Sequence, residues 1–160
     1  MNVFEYIEEK IKYNNNYDVV KRVINDHTLY FLSSLADMKY VNEIILGIQL
    51  NKSLLLNGSI SKVNKLDEAI TMLLSGCTLV IVNEKIYLIE TRNYPNRSIS
   101  ESFTEKSIKG VHDGFNESIL TNTALIRRRI NDSNLCCELF KIGKNNKIDV
   151  SINYLKGKVD

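Results

Sequence analysis

Between positions 101 and 129 of this 160-residue chain lie most of the side chains with the chemistry to act on a partner. Glu101, Glu105, Asp113 and Glu117 share that stretch with Lys109, His112 and the consecutive Arg127-Arg128-Arg129. Carboxylates beside a histidine are the usual equipment of general acid–base catalysis and of metal binding. No second histidine follows at ligand spacing, however, and His27 is far away in sequence. His112 therefore reads as a solvated loop histidine. Cys136 and Cys137 are neighbours on an expected strand, so one thiol enters the core and the other faces out, and buried unreactive cysteine is the plainer reading. Gly110, Gly114 and Gly143 stand singly and form no phosphate-binding fingerprint. The expectation is a chain that is not an enzyme, with no catalytic residue, no cofactor and no metal.

The arginine run is open to three readings: a solvated helix end, a phosphate or nucleic-acid contact, and a salt-bridge partner for Glu101, Glu105 or Glu117. Three successive helical residues point around more than half the helix circumference, so they cannot all face one partner. A guanidinium can clamp a carboxylate through two parallel hydrogen bonds. We expect one arginine to pair with Glu101, Glu105 or Glu117 and another to stay exposed for a neighbouring subunit. The candidate interaction residues are Glu101, Glu105, Lys109, Asp113, Glu117, Arg127, Arg128 and Arg129.

A helix must carry the arginines. Asp113-Gly114 makes a turn, Asp113 or Asn116 can cap the helix after it, and Arg127 to Arg129 fall in the last turn, where cations suit the helix dipole. Phe115, Ile119, Thr123, Ile126 and Ile130 recur at helical steps and predict the core-facing stripe, packed on strands over 79–89 and 148–154. Upstream, residues 3–12 read as an amphipathic helix with Phe4, Ile7 and Ile11 inside. Residues 18–24 and 28–35 read as strands, and Asp37 caps a helix carrying Val41, Ile44, Ile45 and Ile48. Asn57 to Ser61 is polar and turn-rich, and Asn64 is placed to cap a helix with Leu66, Ile70, Leu73 and Leu74, ended by Gly76. Hairpins lie over 79–89 and over 135–154, where Ile148, Val150, Ile152 and Tyr154 alternate with polar residues. The expected fold is α/β, with two small sheet-plus-helix subdomains joined by a short linker. Residues 1–56 form the first, 57–64 the linker and 65–160 the second.

Composition limits the function classes. With 21 basic against 19 acidic residues the net charge is +2, which is no global nucleic-acid signature. Three cysteines, an odd count without zinc spacing, point to a reducing compartment. The apolar run around 73–82 is interrupted by Ser75, Gly76 and Thr78 and falls short of the roughly 18 residues a membrane helix needs. The acidic N-terminus does not read as a secretory signal.

The order and spacing of several motifs carry a family resemblance. Arg97-Ser98-Ile99-Ser100-Glu101, Glu105, Ile108-Lys109-Gly110, Asp113-Gly114-Phe115-Asn116-Glu117, Asn122 and Leu125-Ile126-Arg127-Arg128-Arg129-Ile130 resemble the N-terminal domain of the A subunit of spore germinant receptors, the GerA family. The similarity runs on through Ile142-Gly143-Lys144 and 150–157, with weaker similarity back to Asp18-Val19-Val20 and Arg22. The chain departs from that pattern at Ser102, Val111-His112 and Asn145-Asn146-Lys147. The resemblance implies a soluble cytosolic domain on the core side of the spore inner membrane, involved in receptor assembly and in coupling the germinant signal to ion release. It implies B and C receptor subunits as partners, a homo-oligomer of the A subunit, membrane attachment through segments beyond residue 160, and no nucleic acid. A related protein encoded with the dipicolinate channel shares much of the pattern. The alternative is a soluble enzyme or a nucleic-acid- or phosphate-binding domain using Arg127 to Arg129.

Overall fold

The structure, a computed structural model, describes residues 2–50, 59–94 and 114–158. It opens with helix α1 (Val3–Lys10), which carries a capping box: Asn2 Oδ1 accepts from the Phe4 amide at 2.8 Å, and Glu5 accepts from the Asn2 amide at 3.1 Å. A single 3-10 turn (Tyr13–Asn15) leads to strands β1 (Val19–Ile24) and β2 (His27–Leu32). Asp37 then caps α2 (Met38–Gln49), accepting from the amides of Lys39 and Tyr40. Strand β3 (Ile60–Val63), helix α3 (Leu66–Leu74) and the hairpin β4 (Thr78–Val82) and β5 (Lys85–Ile89) come next. Asn83 and Glu84 turn that hairpin with φ of 47° and 60°, the left-handed pair a two-residue turn requires. The described chain resumes at Gly114 and continues through α4 (Ile119–Arg129) to the hairpin of β6 (Leu135–Ile142) and β7 (Ile148–Leu155).

The α/β class holds, but the expected division at 57–64 does not. One antiparallel sheet of five strands runs in the order β1-β2-β4-β5-β3, taking strands from both sides of that boundary. Tyr30 of β2 lies opposite Leu79 of β4, and β3 occupies the stretch read as a linker. The reason is visible in β2, where Leu29, Tyr30, Phe31 and Leu32 are all buried. A strand apolar on both faces belongs inside a sheet covered on both sides, not at the edge of a small layer. Here α1 and α3 cover Tyr30, Leu32, Leu79 and Ile81 through Ile7, Ile11, Ile70 and Leu73. Helix α2 covers the opposite face, with Ile44 and Ile48 on Leu29, Val80 and Ile89, and Val41 beside Phe31.

Three local expectations also change. Lys65, not Asn64, stands at the N-cap of α3, with no side-chain cap bond. Ser118 caps α4, accepting from the Thr121 amide. The buried face of α4 is Thr123, Ala124, Leu125 and Arg127; Ile119 and Ile126 are half-buried, and Phe115 and Ile130 are exposed. The helix is thus rotated away from its most apolar stripe. Small side chains at Thr123 and Ala124 allow close approach, and a charged partner waits for Arg127. After α3, Gly76 takes φ +103°, where an added Cβ would lie 2.9 Å from Leu35 Cβ, so glycine suits the position on both counts.

Candidate functional site

The residues that meet Arg127 come from the other end of the chain. The 3-10 turn delivers Asn16, the residue leading into β1 is Asp18, and Ser34 follows β2. Arg127 donates from Nε to Asp18 Oδ2 at 2.7 Å and from Nη2 to Asp18 Oδ1 at 2.5 Å, a two-pronged clamp. Nη2 also donates to Asn16 Oδ1 at 2.8 Å, and Ser34 Oγ donates to Asp18 Oδ2 at 2.5 Å. The pair is dry, with the side chains 3% and 0% exposed. Burial pulls the Arg127 pKa down, but hydrogen bonds to and the charge of Asp18 outweigh it, and the pKa is raised. Arg127 is a permanent cation held by a permanent partner.

Asn16 extends the pair into a hub. Its Nδ2 donates to the carbonyls of Ile11, Lys12 and Leu135, while its Oδ1 accepts from the Cys137 amide at 2.8 Å as well as from Arg127. Tyr17 N donates to the Cys137 carbonyl at 2.9 Å, and the Tyr17 hydroxyl bonds Thr123 Oγ1 at 2.7 Å. One amide side chain therefore ties the end of α1, the last turn of α4 and the base of β6 together. Cys137 sits within this hub as a neutral thiol, pushed up to about 12 by burial and by Asp18 against the pull of Arg127. Burial likewise pushes Cys77 up to about 11. Neither is poised as a nucleophile.

Of the three glutamates expected to pair with an arginine, Glu117 alone lies among the described residues, while Arg127 pairs with Asp18. Glu117 is exposed and bonds none of the three arginines, while Glu101, Glu105, Lys109 and Asp113 lie outside the described residues. Arg128 lies over the ring of Tyr94, 5.0 Å from its centre, and Arg129 is exposed with no ion pair among the described residues. Asn16 and Ser34 were not singled out from sequence, and Asp18 entered only as part of the weaker family similarity, with no role. The available signal was the phase of α4, since Arg127 follows Thr123 by four residues and Ala124 by three and shares their face. Among the described residues no group of three or more His, Cys, Asp or Glu side chains is arranged to hold a metal. A shallow cleft of about 300 Å³ lies between α1, α3 and the loop after α4, lined by residues including Lys10, Asp67, Thr71 and Asp132.

The family model described as Bacillus/Clostridium GerA spore germination protein matches residues 5–160. The chain belongs to the GerA family. It is 34% identical to Stage V sporulation protein AF of Bacillus subtilis (strain 168), over 98% of this chain and 36% of that protein. It is 31% identical to Spore germination protein A1 of the same organism, over 96% of this chain and 36% of that protein. This GerA-family chain thus spans about a third of the length of the curated relatives it matches. Its fold matches the crystal structure of the N-terminal domain of the A subunit of the Bacillus megaterium spore germinant receptor GerK3. That match has TM-score 0.69 and 23% identity and covers 98% of this chain and 64% of that one. Among its described residues no helix is long and apolar enough to cross a membrane.

Proposed function

We propose that this chain is the soluble N-terminal domain of the A subunit of a nutrient germinant receptor, on the core side of the spore inner membrane. In this reading it serves receptor assembly and the coupling of the germinant signal to ion release. Its partners are the B and C subunits and further copies of the A subunit. The observation that carries the reading is the fold match, over 98% of the chain, to the N-terminal domain of a receptor A subunit. The site supports a non-enzymatic role: Arg127 is fully engaged inside the fold, and the thiols of Cys77 and Cys137 are held neutral. Arg128 and Arg129 supply the exposed end of α4 for a neighbouring subunit. A phosphate- or nucleic-acid-binding role is less well supported, because it needs a cluster of free cations, whereas Arg127 is buried and Arg128 covers Tyr94. The homology to Stage V sporulation protein AF supports a second reading, a role alongside that protein's in sporulation.

The test is allelic replacement in the full-length gene. Arg127→Ala is expected to lower the amount of assembled receptor. Arg128→Ala with Arg129→Ala is expected to slow nutrient germination at unchanged receptor abundance. Normal nutrient germination after replacing all three, at normal abundance, defeats the roles given to the arginines, and normal nutrient germination after deleting the gene sinks the receptor reading.

A further inference from the structure

Two kinds of interior hold the described chain together. Helices α1, α2 and α3 are fastened to the five-stranded sheet by apolar clusters. Helix α4 and the β6–β7 hairpin are fastened in another way. Among their described residues Ala124 alone enters those clusters, whereas Leu125, Leu135, Cys136 and Cys137 are buried outside them. What joins α4 and the hairpin to the sheet is a line of polar contacts. Arg127 reaches Asp18 and Asn16, Asn16 reaches the Leu135 carbonyl and the Cys137 amide, and Tyr17 bonds Thr123 and the Cys137 carbonyl. Asn15 Nδ2 donates to Glu138 at 2.8 Å, Asn131 Nδ2 donates to Ser75 Oγ at 3.2 Å, and Arg128 lies over Tyr94. The tip of the hairpin adds nothing to this line, with Ile142 57% and Ile148 64% exposed.

We infer that this line is a seam along which α4, β6 and β7 undock from the sheet as one body, with the Arg127–Asp18 pair as its latch. A polar seam opens differently from an apolar one. Separating apolar faces returns their surface to water, a loss that grows with area. Separating hydrogen-bonded groups exchanges each bond for one to water, so the net loss per bond is small. The ion pair follows the same rule, because desolvation already offsets much of its attraction and opening rehydrates both charges together. The sheet side of the seam stays built after the hairpin leaves: Asn16 keeps its bonds to the Ile11 and Lys12 carbonyls, and Asp18 keeps the Ser34 hydroxyl. The departing body keeps its own order as well. Its β6–β7 ladder and the Ser118 cap of α4 are internal to it, and α4 packs on β7, which gives a two-stranded sheet the helix it needs. Its one member of the apolar clusters, Ala124, contributes a single methyl group. Opening carries Arg128 and Arg129 with α4, so the exposed end of that helix shifts against the sheet in one step.

The test is native-state amide exchange of the chain at rising, sub-denaturing urea. Amides of 123–127, 135–138 and 152–155 should report one common opening, roughly tenfold or more faster than that of 29–32 and 79–81. Their dependence on urea should be shallower, because undocking exposes less surface than unfolding. These wild-type measurements need no variant to fold. Leu29→Ala then separates the two openings, since it weakens a core that the undocked state still keeps. It should speed exchange in β2 and β4 by about tenfold or more and leave α4, β6 and β7 within about twofold. Arg127→Ala breaks the latch and should speed both classes. One rate and one urea slope throughout, or Leu29→Ala speeding every segment alike, overturns the proposal, because the chain then opens only as a whole. Separate openings of α4 and the hairpin overturn it too, since they are then two bodies that fray independently. Either result leaves the family reading standing, because that reading is decided by germination.

Discussion

The base and the tip of the β6–β7 hairpin make opposite use of their residues. At the base, charged and polar groups are buried: Arg127, Asp18 and Asn16 are each 5% exposed or less and fully bonded to one another. At the tip, a few residues further along the same strands, large apolar side chains stand in water. Burying a charge is costly and exposing an isoleucine forfeits its burial energy, so neither is what a sequence optimised for isolated stability would choose. The base is complete because its partners lie within the first 34 residues of the chain. The difference teaches that polar residues can specify where two pieces of a fold meet, while the apolar residues of a strand need not all be buried.

The largest expected effect breaks the base. Arg127→Ala leaves Asp18 buried and unpaired, which should cost about 3–5 kcal/mol by denaturant unfolding. Asp18→Ala should cost a similar amount by stranding the guanidinium. A double variant, Arg127→Met with Asp18→Leu, should recover much of the loss, because apolar replacement of both partners is often neutral or better. If Arg127→Ala costs under 1 kcal/mol, the pair is not dry in solution and the contrast between base and tip collapses.

Next come paired truncations that sharpen the same contrast. Leu29→Ala, inside the sheet with both faces covered, should cost about 2–5 kcal/mol. Ile148→Ala, at the tip of the 160-residue chain, should stay within about 0.5 kcal/mol. Equal losses would show that the tip is covered in solution.

A pH titration separates the regions differently. Burial raises Cys77 to about 11 and Cys137 to about 12, above the ordinary thiol range. Between pH 9 and about 11 the unfolded chain has released these protons and the native chain has kept them, so the native state binds more protons and stability falls as pH rises. The slope should approach about 1.4 kcal/mol per pH unit for each thiol, read from urea midpoints. Cys137→Ala should flatten the slope near the hub, with a wild-type slope there excluding a buried neutral thiol.

How much of the fold and of the hub was legible in the sequence depends on the range over which each signal acts. Helical and strand periods are local, and α1, α2, α3 and both hairpins fall close to their expected places. Asp37 caps α2 as its type and position suggest. Sheet order is not local. The four buried apolar residues of β2 announce a covered strand but not which strand lies beside it, so the pairing of β2 with β4 across 57–64 escaped the division into two subdomains. The hub escaped for the same reason: nothing near Arg127 in sequence points 109 residues back to Asp18. The stripe of α4 was misphased because periodicity weighs Ile119, Ile126 and Ile130 by hydrophobicity, whereas a buried ion pair turned the helix toward Arg127.

A small expected effect lies one residue away from the largest. Arg128 shares its residue type, helix and turn with Arg127, yet it is exposed and its guanidinium lies over Tyr94 instead of clamping a carboxylate. An exposed cation–π contact contributes about 0.5–1 kcal/mol, and water can solvate the charge when the ring is removed. Tyr94 also donates its hydroxyl to the Ser75 carbonyl at 2.9 Å, so replacing the ring removes two interactions, while Tyr94→Phe keeps the ring and removes one. Arg128→Ala should therefore cost no more than about 1 kcal/mol, and combined with Tyr94→Phe the losses should add. Arg128→Lys, which keeps the charge but not the flat guanidinium, should fall between wild type and alanine. A loss approaching that of Arg127→Ala would mean that the run acts as one buried unit, and that exposure does not separate its members.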